Sequence, residues 1–153
     1  MKPRIDFAKV SPRAVQSMIG LQNYVNNSGL EHSLLELVKM RASQINGCGY
    51  CLDMHMKDAL AAGETAQRLL LLDAWREAPF YSARERAALE WTESLTLVSE
   101  NHVPDEVFAA ARAQFSEEEL VNLSLAVVAI NGWNRLVIGF RREVGTYQVP
   151  AKP

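Results

Sequence analysis

The residues most able to do chemistry lie in one stretch, Asn46-Gly47-Cys48-Gly49-Tyr50-Cys51-Leu52-Asp53-Met54-His55. Cys48 and Cys51 are three residues apart and His55 follows Cys51 by four. On a helix, residues four apart stack with Cβ atoms about 5–6 Å apart, so an imidazole at 55 can take the Cys51 thiol proton directly or through one water. Cys48 falls on the same face one turn earlier, near enough to close a disulfide. Asn46-Gly47 is a left-handed helix terminator, which puts the dithiol at the first turn of the next helix. Unpaired N–H groups and the macrodipole there favour a thiolate. The same stripe continues through Leu52, Ala59 and Ala62, an apolar set that turns the sulfurs toward the core, and burial opposes ionisation. Three chemistries fit these residues: dithiol/disulfide redox, zinc binding with a fourth ligand from elsewhere, and inert packing. His32 and His102 lack the paired spacing that structural zinc sites draw from a second segment. A thioredoxin-like setting would need a βαβ pattern, which is absent.

The elements that hold this stretch read as helices. Ser11-Pro12 starts one that runs to about Asn26 and stops in Asn27-Ser28-Gly29. A second covers about residues 31–46, with Leu34, Leu37, Val38, Ala42 and Ile45 on one stripe. The dithiol helix follows, to Ala62-Gly63, then one from about Glu64 to Ala78, halted by Pro79. Capping boxes at Ser82–Glu85 and Ser116–Glu119 open helices to about Ser99 and Glu143, and Pro104 begins a short one between them. The expected fold is an all-α compact bundle of about six to seven helices, with no room for more than a terminal strand or two. No repeat, low-complexity tract or linker divides the 153 residues, so one domain over 1–153 is expected.

Composition sets limits on partners. Sixteen Lys and Arg against eighteen Asp and Glu leave a net charge of −2, which gives no sequence-wide attraction to nucleic acid or acidic membranes. Met1 to Val10 lacks the continuous apolar run of an export signal, so a cytoplasmic location is expected. Leu120 to Phe140 is nearly long enough to span a bilayer. Asn122, Asn131, Asn134 and Arg135 interrupt it, and burial against other helices or a second subunit is the expected reading. Those polar side chains need partners if buried, which an oligomer would supply. Trp75, Trp91 and Trp133 read as core or interface anchors, and Arg141-Arg142 as complements to a helix C-terminus.

Glu36 lies twelve residues before Cys48, giving E-x11-C-x2-C-x3-H over Glu36, Cys48, Cys51 and His55. This pattern, with LVKMRASQINGCGYCLDMHMKDAL and AALEWTESLTLVSE around it, resembles the alkylhydroperoxidase D (AhpD-like) core of the carboxymuconolactone decarboxylase superfamily, over roughly residues 20–140. The resemblance implies a thiol-dependent peroxidase that needs no cofactor or metal and assembles as a homo-oligomer, a trimer or hexamer. It implies Cys51 as the peroxidatic cysteine and Cys48 as the resolving, more reductant-accessible thiol. His55 is implied as the proton relay and Glu36 as its orienting partner. The implied partners are a hydroperoxide substrate and a dithiol reductant, a lipoylated or thioredoxin-like carrier. Tyr50 stands where the namesake carries a second relay histidine, and a phenol exchanges protons poorly near neutral pH. Two rival readings stay open: a cofactor-free carboxymuconolactone decarboxylase-like lyase using Glu36 and His55, and a non-catalytic redox-sensing or zinc-holding assembly protein.

Overall fold

The chain folds entirely from helices in a computed structural model that describes residues 2–150. In order they are α1 (Phe7–Val10), α2 (Pro12–Asn26), α3 (His32–Asn46), α4 (Gly49–Ala61), α5 (Ala66–Leu70) with a 3-10 turn (Leu71–Ala74), α6 (Ala83–Thr96), α7 (Val98–Asn101), α8 (Asp105–Arg112) and α9 (Glu117–Phe140). No strand occurs among the described residues. The all-α expectation holds, with nine α-helices among the described residues rather than six or seven. The additions, α1 and α7, are single turns, too short to leave a hydrophobic period in the sequence. Both capping boxes form: Ser82 with Glu85 starts α6 and Ser116 with Glu119 starts α9.

The helix expected over 64–78 is the one element of a different kind. After Leu70 it tightens into the 3-10 turn. Leu69, Leu72, Trp75 and Ala78, spaced by three, are all buried in one cluster with Leu37, Met40 and Leu89. Leu69 belongs to α5, Leu72 to the 3-10 turn, and Trp75 and Ala78 follow it, so the spacing by three keeps the apolar side chains on one side through the change of geometry.

α3 lies at the centre, packed against α4, α6 and α9. Its buried run, Leu34 to Met40 followed by Ala42 and Ser43, touches neighbours on several sides and includes two charged residues, Glu36 and Lys39. Gly47 closes it at φ 67°, ψ 33°, the left-handed conformation that glycine adopts without penalty. The chain then reverses into α4 with Cys48 at the N-cap.

α9 has the length and composition of a membrane-crossing helix. One face is occupied: Leu120, Leu123, Ala126 and Val127 join a core with Leu34, Leu35, Val38, Ala88 and Trp91. Its polar residues find partners within the chain. Asn131 donates to Thr96 Oγ1, Asn134 donates to Ser43 Oγ, and Asn46 Nδ2 donates to the side-chain oxygens of both asparagines. No second subunit is required to satisfy them. Gly132 admits the crossing of α2, because a Cβ there would sit 2.8 Å from Met18 Cε.

Candidate active site

The Gly47 reversal sets the start of α4 against the end of α3. Cys48 and Cys51 are both buried, in a cluster with Ala42, Tyr50, Ile130 and Val137. Their sulfurs are 2.6 Å apart, with the Cys48 thiol as donor while both are protonated; once Cys48 ionises, the Cys51 thiol donates to it. That donation is the main reason the Cys48 thiol is held down, to about 7, with a smaller contribution from the Cys51 backbone N–H at the helix start. The same bond, with burial and the charge on Cys48, drives Cys51 strongly upward. The pair therefore behaves as one unit: the first proton leaves below the ordinary thiol range and the second is retained far above it. The competition between burial and helix start is won, for the first proton, by the neighbouring thiol.

His55 is one turn beyond Cys51, and α3 supplies its partner. Glu36 Oε2 lies 2.9 Å from His55 Nδ1, and Glu36 Oε1 lies 2.8 Å from Lys39 Nζ. A carboxylate only accepts, so Nδ1 carries the hydrogen and Nε2 is left to exchange protons. Burial by itself would raise the Glu36 carboxyl; the hydrogen bond and charge of His55, then the Lys39 ammonium, outweigh it and hold Glu36 down to about 2. Glu36, Lys39 and His55 are 4%, 5% and 6% exposed, so the ion pairs are shielded from solvent.

A cavity of about 600 Å³ opens onto these groups. Cys51, His55, Glu36 and Lys39 line it together with an apolar wall that includes Met54, Ile130 and Val137. Cys48 does not line it and is fully buried. Within one chain, then, Cys51 is the sulfur nearer the cavity, the reverse of the accessibility implied by the resemblance. No hydrogen bond joins His55 to Cys51 among the described residues, and the cavity that both line has room for a bridging water. Nor do three or more His, Cys, Asp or Glu side chains come together as a metal site among the described residues.

Glu36, Cys48, Cys51 and His55 are thus brought into one place. Sequence reasoning missed Lys39, whose signal was a second charge three residues after Glu36 on an apolar helix. Trp133 lines the cavity rather than the core, unlike Trp75 and Trp91, which are buried with their ring N–H groups bonded to Glu93 and Ser124. Arg142 leaves the helix end as well. Arg141 takes a left-handed φ of 56°, and Arg142 then lies with its guanidinium 4.4 Å from the centre of the Tyr50 ring, at the cavity.

Comparison with known proteins agrees with this arrangement. The model of the carboxymuconolactone decarboxylase family matches residues 12–94. The chain is 41% identical over 138 residues to YdfG of Bacillus subtilis (strain 168), an uncharacterized protein, covering 90% of this chain and 94% of YdfG. It is 46% identical over 41 residues to the alkyl hydroperoxide reductase AhpD of Rhodopseudomonas palustris (strain BisB18), a match to 27% of this chain and 23% of that one. The crystal structure of ATU0492 from Agrobacterium tumefaciens, of unknown function and described as a candidate AhpD antioxidant defence protein, superposes with a TM-score of 0.92 at 45% identity, covering 95% of this chain and all of that one. By sequence model, relatives and fold alike, the chain belongs to the carboxymuconolactone decarboxylase family, with an AhpD-like fold.

Proposed function

We propose that the protein is a thiol-dependent peroxidase that reduces hydroperoxides through a Cys48–Cys51 dithiol/disulfide cycle. The observation that carries the reading is the placement of Cys51 between a cavity and a second sulfur 2.6 Å away, beside the Glu36–His55 pair. The resting pair shares one negative charge. Passage of the Cys51 proton to Cys48 across that short contact puts the thiolate on the cavity side. The Cys51 thiolate attacks the terminal oxygen of R–O–O–H; an S–O bond forms, the O–O bond breaks, and the leaving alkoxide takes a proton from His55 to give the alcohol. The Cys48 thiol, its proton passing to the departing hydroxide, attacks the Cys51 sulfenic acid; the S–S bond forms and water leaves. An external dithiol then returns two electrons and two protons, one proton restoring a thiol and the other restoring His55 Nε2, and is itself oxidised to a disulfide. Glu36 holds the His55 ring and its tautomer, and Lys39 keeps Glu36 ionised. A homo-oligomeric assembly belongs to the same proposal.

The test is peroxide consumption with a dithiol reductant. Cys51→Ser is expected to abolish turnover, and Cys48→Ser to stall after one equivalent of peroxide with Cys51 trapped as its sulfenic acid. Wild-type rates in both variants defeat the thiol mechanism and leave the Glu36–His55 pair free for the lyase chemistry of the family's name.

A further inference from the structure

Asn134 is fully buried on α9, on the face that also carries Ile130 and Val137, the two residues of that helix packed in the same cluster as Cys48 and Cys51. Spacings of four and three around it place its side chain between theirs, over the sulfurs. Its amide has one orientation. Oδ1 accepts from Asn46 Nδ2 at 2.9 Å, so the other end is the donor, and Nδ2 gives one hydrogen to Ser43 Oγ at 3.1 Å. Asn46 is itself held by Asn131 Oδ1 at 3.0 Å, which fixes the clamp from a second side. The other Nδ2 hydrogen makes no bond to oxygen among the described residues, and the amide lies on the closed side of the dithiol, since neither Cys48 nor Asn134 lines the cavity.

We propose that Asn134 is the fixed hydrogen-bond donor of the dithiol, a positioning residue that stabilises sulfur-borne negative charge from the side opposite the cavity. The inference rests on the redox reading of Cys48 and Cys51 for its purpose, though not for its measurement. A neutral donor suits this place: it stabilises a thiolate without a permanent counter-charge that would hold it there after oxidation. The Asn134 side chain acts downward on both thiols, as a minor contribution beside the sulfur–sulfur contact, in agreement with this placement. The charged and titratable groups around the sulfurs are otherwise Tyr50 and His55 on α4, Glu36 and Lys39 on α3, and Arg142 after α9, which line the cavity on the other side, and Tyr147 of the C-terminal segment, which packs against the dithiol cluster.

The experiment follows the first thiol ionisation by ultraviolet thiolate absorbance against pH in the reduced protein, with the Cys48–Cys51 reduction potential measured in a dithiol buffer. Asn134→Leu keeps the shape and removes the donor; its ionisation midpoint is expected to rise by about one unit, about a fivefold loss of thiolate at pH 7, and its potential to become more reducing. Asn134→Asp turns an acceptor toward the sulfurs and is expected to raise the midpoint at least as far. A role confined to packing would lower the thermal midpoint and leave ionisation where it was, and that result overturns the proposal. Should both variants fail to fold, Asn46→Ala keeps Asn134 and removes the bond that orients it. The expected rise is then about half a unit, and an unmoved midpoint overturns the assignment. Neither readout depends on peroxide turnover, so a protein that ignores hydroperoxides still tests Asn134.

Discussion

Glu36 joins Lys39 and His55, both out of solvent, and its charge is therefore a stability term as well as a catalytic one. Its carboxyl ionises at about 2 in the folded chain against an ordinary 4.5. A depressed carboxylate stabilises the fold fully above the unfolded value, and that contribution is lost as the pH falls through 4.5 toward 2. The shift corresponds to about 3 kcal/mol at neutral pH. Glu36→Gln also leaves Lys39 buried without its charge partner. The variant is expected to be less stable than wild type by about 3 kcal/mol in urea unfolding at pH 7, with the gap closing on acidification to about pH 2. An equal gap at both ends of that range would assign the loss to packing. The four site residues were legible because a dithiol, a histidine one turn on and a carboxylate at fixed spacing are positions along one chain. Lys39, Asn134 and Arg142 were not: only folding buries Lys39 against Glu36, sets Asn134 against the dithiol cluster and stacks Arg142 on Tyr50.

At the scale of the helix, the site is made by one turn. Gly47 stops α3 and sends Cys48 into the N-cap of α4, so its sulfur lies by the Cys51 backbone N–H at the helix start rather than in the middle of a helix. An alanine at this position would find nothing within 4 Å, so the cost of Gly47→Ala is purely conformational, about 1–2 kcal/mol for a left-handed residue. Urea unfolding is expected to show a lower midpoint with an unchanged slope. Such signals were easy to read in advance: both capping boxes and the Asn-Gly stop worked as local chemistry says they must. The stretch from Ala66 to Ala78 misled because its apolar residues repeat by three, a spacing that counts as helical in any pattern search. Which of two helical geometries wins is decided by the pocket those residues fill, beneath Leu37, Met40 and Leu89.

Over the molecule as a whole, the most heavily packed helix is also the one that bears the charges. α3 contributes Glu36 and Lys39 to the cavity, Ser43 to the amide network and Arg41 to Glu93, and it contacts α4, α6 and α9 throughout. Chemistry carried on so fixed an element keeps its distances without help from loops. The sealed position of Cys48 has a kinetic corollary. Oxidant and electron donor must each approach the Cys51 side, and neither can do so while the other is there. A protein cycling as proposed must release its alcohol before a donor docks, and initial rates plotted in double-reciprocal form should give parallel lines at varied donor levels. Intersecting lines would mean that both reactants are held at once, and that a second doorway exists.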